Sequence, residues 1–169
     1  MVKIMENSTY LEKIFRSFQR YYTVKTENVP QPFDAEAEFI SHTENYFLVK
    51  SAKLAEFDSN EYVFFKQNDF LSNRMINEYS SLAWNEGLSR VKPSYGHKNS
   101  DITLVLLSQK LETGASKTIK KINKHISYRF GFFGWSNFKL VVKELSSDLI
   151  FCNRMGSDLK KLLSKIKSD

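Results

Sequence analysis

The strongest constraint in this chain is a change of hydrophobic period. Leu11, Ile14, Phe15, Phe18 and Tyr22 recur at the spacing that lines up side chains on one face of a helix. Pro30 and Pro32 bar that helix from continuing. Phe33, Ala35, Ala37 and Phe39 then alternate with Asp34, Glu36 and Glu38, the two-residue period of a strand. Each element has one apolar side to bury, so helices must pack on a sheet.

Carried along the chain, the same reading predicts a helix over 9–24, opened by the capping box Thr9-x-x-Glu12. Strands over 33–42, 46–57 and 61–66 follow with short polar turns, which predicts an antiparallel meander. A helix over 71–91 carries the stripe Met75, Ile76, Tyr79, Leu82 and Ala83, and Pro93 ends it. A strand over 101–108, a helix over 116–128, a hairpin of 130–145 with 149–154 and a helix over 158–167 complete the order α-β-β-β-α-β-α-β-β-α. The expectation is an α+β fold with a mixed, largely antiparallel sheet and helices packed on it. With 169 residues the chain suits one domain over 1–169, with 1–8 a flexible N-terminal arm.

Cys152 is the sole cysteine, which points to a reducing, cytoplasmic setting. The N-terminal MVKIMENSTY lacks a secretory apolar stretch, and the longest apolar run, Ile102–Leu107, is far below the ~20 residues of a membrane span. A soluble protein without a membrane partner is expected. The charge is uneven: residues 1–86 carry net −4 and residues 87–169 net +10. Between Glu112 and Glu144 no acid interrupts Lys117, Lys120, Lys121, Lys124, Arg129, Lys139 and Lys143. A field of this kind attracts polyanions.

The stretch LVLLSQKLETGASKTIKK, 104–121, imitates a phosphate-binding loop but fails its register. A lysine-threonine pair at 117 and 118 requires glycines at 111 and 116, and these positions hold Leu111 and Ser116. Side chains there block the curl of backbone N–H groups around phosphate. Ser116 is instead expected to cap an ordinary helix. On that helix Ile119, Ile122 and Ile126 form an apolar stripe opposite Lys117, Lys120, Lys121 and Lys124. Together with Arg129 and Lys139, these lysines are the expected anion-binding set. The expected function is a non-enzymatic binding module for an anionic partner, a nucleic acid or an acidic protein. A homo-oligomer is compatible with the many aromatics.

Asp34, Glu36 and Glu38 recur two residues apart on a strand, roughly 6.6 Å between neighbours. Salt bridges with neighbouring strands, Glu38 facing Lys50 with Lys53 nearby, account for them most simply. The order α-β-β-β-α-β also resembles the core of restriction-endonuclease-like folds. That resemblance implies an alternative, a divergent or inactive metal-dependent nuclease using Asp34, Glu36, Glu38 and Lys50. The acid-x-Lys motif of such enzymes is missing from both candidate strands. His42, His97 and His125 have no zinc spacing and Cys152 has no partner, so neither a metal nor a cofactor is expected. His97, Lys98 and Asp101 share a glycine-containing loop, which a polar connection explains.

In FGFFGWSNFKLVV, 130–142, Phe130, Phe132 and Trp135 are expected to fill the core, with Gly131 and Gly134 allowing bulges. The alternative is a stacking platform beside the basic helix. This segment and YFLVKSAKLAEF-x-x-x-EYVFF, 46–65, resemble a family of bacterial single-domain proteins of unknown function over 11–153. The resemblance implies an intracellular bacterial protein and supplies no functional residue.

Overall fold

The run from Ile102 to Leu107 leaves no position for solvent, and in the computed structural model all six residues are fully buried. The structure describes residues 2–40 and 58–167. Its elements are α1 (Val2–Gln19), β1 (Thr23–Lys25), β2 (Ala35–Ile40), β3 (Asp58–Leu71), α2 (Asn73–Arg90), β4 (His97–Leu111), α3 (Ala115–Lys121), β5 (His125–Ser127), β6 (Trp135–Glu144), β7 (Leu149–Cys152) and α4 (Ser157–Leu163). One sheet runs β1-β2-β3-β4-β6, and both β5 and β7 pair with the far side of β6. β5 takes Trp135 to Asn137 and β7 takes Val141 to Glu144.

The fold is α+β, as expected, with a mixed sheet. Among the described residues four of the six strand pairings are antiparallel, while the two longest, β3–β4 and β4–β6, are parallel. A parallel neighbour requires a crossover. α2 supplies one for β3–β4, and α3 with β5 lies in the other. A parallel strand covered on both faces reads as a continuous apolar run rather than an alternating one, which is the pattern of β4.

Two cores result. Ile102, Leu104, Leu106, Phe138 and Leu140 face α2 and α3, meeting Ile76, Ala83, Ala115 and Ile119. Val105, Leu107, Val141, Ala35 and Ala37 face α1 and α4, meeting Tyr10, Ile14, Phe18 and Leu163. Gly87 brings α2 down onto β4: a Cβ there would lie 2.6 Å from Ile102 Cγ1. Ser72 caps α2 by accepting from Met75 N at 3.1 Å.

Several expectations are corrected. α1 starts at Val2, so Thr9 is interior to the helix rather than its cap. The meander is not formed as expected, because β2 pairs directly with β3, Glu38 opposite Tyr62, and with β1 on its other edge, Glu38 opposite Thr23. The strand expected over 46–57, with His42, Lys50 and Lys53, lies outside the described residues. Phe33 precedes β2 and joins the opposite core from Ala35 and Ala37, stacking near Phe64 at 4.9 Å. The helix expected over 116–128 stops at Lys121, and Gly114, left-handed at φ 86°, stands at its start instead of Ser116. Residues 125–127 pair with the edge of β6, since an available strand edge offers hydrogen bonds that override weak helix propensity.

Candidate functional site

The short helix α3 is held down by Ala115 and Ile119, both buried against the sheet core. At 100° per residue this anchoring turns Lys117, Lys120 and Lys121 to solvent. Lys124 follows half-buried, one residue before β5. Among the described residues none of these four lysines has an ion-pair partner. Thr118 Oγ1 donates to Asn73 Oδ1 at 2.8 Å, and Asn73 Nδ2 donates to Thr113 O at 3.2 Å. The starts of α2 and α3 are thereby tied together, with the hydroxyl that a phosphate-binding loop would need already committed.

Between α2 and α3 lies a cavity of about 360 Å³, lined among others by Asn77, Ser80, Ser81, Lys121, Asn123 and Lys124. Ser80 is 1% exposed, and its hydroxyl has no hydrogen-bond partner. A buried polar atom costs about 1–3 kcal/mol unless water or a ligand meets it. Two ammonium groups, two amides and a spare hydroxyl around one cavity suit an oxygen-rich anion.

Lys139 does not join this set. It lies on the other face of the sheet, 2.8 Å from Asp101 Oδ2 and 3.5 Å from Glu61 Oε1. Tyr22 and Thr103 also donate to Glu61, Thr103 at 2.8 Å. Burial alone would lower the Lys139 pKa, but the charges and hydrogen bonds of Glu61 and Asp101 outweigh it and raise the value. A lysine held protonated between two carboxylates is a structural brace, neutralised by Glu61 from the acidic front half and by Asp101 from the basic half itself.

The carboxylates of Asp34, Glu36 and Glu38 do not converge either. Asp34 receives Lys66 Nζ at 2.9 Å and Gln67 N at 2.8 Å. Glu36 is buried and binds Arg90 Nη2 at 2.7 Å, with Lys25 at 3.7 Å. Burial would lower the Arg90 pKa, but bonds from Glu36 and Glu86 raise it. Glu38 lies beside Tyr62. Among the described residues no three His, Cys, Asp or Glu groups could hold a metal ion.

The segment expected to fill the core is instead a displayed loop. Phe130 is 100% exposed, Phe132 76%, and Tyr95 of the preceding connection 90%. Trp135, at the start of β6, is half-buried. Tyr128 N donates to Gly134 O, and Gly131 N and Phe133 N both donate to Tyr128 O. Gly134, at φ 78°, passes so close to the 97–98 backbone that a Cβ would lie 2.2 Å from Lys98 O. His97 is buried beneath: Nδ1 donates to Phe133 O at 2.7 Å, which leaves Nε2 to accept from Ser100 Oγ at 2.8 Å. Both ring nitrogens are used, so His97 braces the loop and does not form a catalytic cluster with Asp101. Arg129 lies over the Phe133 ring at 5.0 Å.

A family described as a domain of unknown function, DUF8052, matches residues 6–165. The chain belongs to that family. No curated protein and no solved structure matches it. The resemblance drawn from the strand patterns to an uncharacterised family is therefore correct as to kind. No described helix of this DUF8052 domain is long and apolar enough to cross a membrane.

Of the six expected anion-binding residues, the DUF8052 domain places Lys121 and Lys124 on the cavity and Lys117 and Lys120 on the same short helix, puts Arg129 on the aromatic loop, and withdraws Lys139. Sequence reasoning missed Ser80. The signal was present: Ile76, Ser80, Ala83 and Gly87, spaced four, three and four, are the buried face of α2, and one of them is polar. Leu82, counted in the stripe, points outward.

Proposed function

We propose that this domain is a non-enzymatic binding module that takes an anionic partner at the groove between α2 and α3. The observation that carries the reading is the coincidence of Lys121 and Lys124 with the unpartnered, buried Ser80 hydroxyl around one cavity, flanked by Lys117 and Lys120. The nuclease alternative gains no comparable support, since Asp34 and Glu36 are each held by a cation. A reducing, cytoplasmic setting accords with the free thiol of Cys152.

Anisotropy titration with fluorescent heparin, polyphosphate and nucleic acid, at roughly 50 and 200 mM salt, tests the reading. Four phosphate contacts predict a log–log salt slope near −3, so affinity should fall by roughly fiftyfold between the two conditions. The double variant Lys120→Glu, Lys121→Glu leaves both side chains in solvent and should lower affinity at least tenfold. Negligible binding of every polyanion at the lower salt would end the proposal.

A further inference from the structure

The aromatic loop calls for its own account. Two phenylalanines held fully or largely in solvent expose apolar area that folding normally removes. The loop displaying them is also strained. Arg129 at φ 46° and Phe130 at φ 56° both occupy the left-handed region without being glycine. Such conformations persist only where surrounding structure enforces them, and they concentrate at binding sites. Here the enforcement comes from His97, Gly134 and the hydrogen bonds converging on Tyr128. Phe130, Phe132, Phe133, Tyr95 and Arg129 border an open apolar space of about 630 Å³.

The basic groove and this surface are joined along the chain by β5, since Lys124 borders the groove and Arg129 borders the loop. Tyr128 packs on the same core as α2 and α3. The exposed edge strand β5 lies between Lys124 and the loop, and five residues of extended chain reach at most roughly 16 Å. No acid occurs between Glu112 and Glu144, and Arg129 is itself cationic. A ligand that suits both ends must be anionic along its length and carry flat, stackable groups.

Resting on the anion-binding reading above, we propose that the partner is a single-stranded nucleic acid. Its bases stack on Phe130, Phe132 and Tyr95. Its phosphates follow Arg129 and β5 to Lys124, Lys121 and the Ser80 cavity. Stacking accepts any base, so recognition is by strandedness rather than by sequence. A duplex hides its base faces and loses the aromatic half of the site.

The test compares the full chain and its Phe130→Ala, Phe132→Ala double variant by anisotropy at low salt. The probes are a labelled oligothymidine, an abasic strand of equal length, the matching duplex, and anionic phospholipid vesicles. Both rings are exposed, so the variant should keep the parent's circular dichroism and melting temperature. The parent should prefer the base-bearing strand over the abasic one by at least about fivefold per stacked base. The double variant should lose that preference while retaining the weaker, salt-sensitive binding of both strands. Equal binding of abasic and base-bearing strands by the parent would overturn the proposal and leave the anion reading standing. So would an unchanged preference in the double variant. Vesicle binding that depends on the two rings, without oligonucleotide binding, would assign the loop to a membrane surface and overturn it as well. Absence of binding to every polyanion would remove the anion reading beneath it.

Discussion

Replacing Ser80 with alanine separates a site built for a ligand from an ordinary helix contact. Ser80 sits on the buried face of α2 between Ile76 and Ala83, and its hydroxyl finds no partner. Removing an unpaired buried hydroxyl should recover about 1–3 kcal/mol. Alanine adds a few tenths of a kcal/mol through better helix propensity. The cavity already beside the residue means that losing one oxygen opens no new void. Ser80→Ala should therefore stabilise the ligand-free protein by about 1.5–3 kcal/mol. For a domain of this size that raises the melting temperature by roughly 3–12 °C. Calorimetry or urea titration reads the change directly. Binding should move the other way, with polyanion affinity falling several-fold because one donor to the anion is gone. A site kept at the expense of stability is the usual sign of function. If Ser80→Ala melts at or below the parent temperature, the hydroxyl is already satisfied in the free protein and is not held in reserve for an anion.

Lys139→Met should destabilise the domain by about 3 kcal/mol, since Glu61 and Asp101 would face each other without their shared cation. Polyanion affinity measured on the surviving fold should stay unchanged, because Lys139 lies on the opposite face from the groove. Tyr10 is held by burial, and secondarily by the Asp148 charge, with its pKa raised from 10.0 to about 12. Its neutral form is the one the fold protects, so this stability is complete below pH 10 and lost as pH climbs towards about 12. Unfolding free energies from urea titrations across that window should fall by up to ~1.4 kcal/mol per pH unit from this group, and Tyr10→Phe should flatten the slope. Gly87→Ala should fail to deliver the ~1 kcal/mol that alanine normally adds inside a helix, because its Cβ strikes Ile102. A full gain in melting temperature would show α2 to be farther from β4 than described.

By itself the sequence determined those features that rest on local period and on charge count. The helix stripe of Ile14 and Phe18, the alternation of Ala35 and Ala37, and the α+β class could all be read, because burial imposes the same spacing wherever the element lands. The acid-free lysine stretch was equally plain. Which cations remain free was not, because Lys139 meets Glu61 only when β4 brings strands from distant parts of the chain into register. The pairing of β2 with β3 was decided in the same way, while the edge strand at 125–127 and the outward turn of Phe130 and Phe132 came from pairing with β6 and the loop's own hydrogen bonds. Hydrogen bonds and contacts between residues far apart in the chain outweigh local preferences worth a few tenths of a kcal/mol per residue. A groove assembled from Ser80 on one helix and Lys121 on another exists only after both have docked on the sheet.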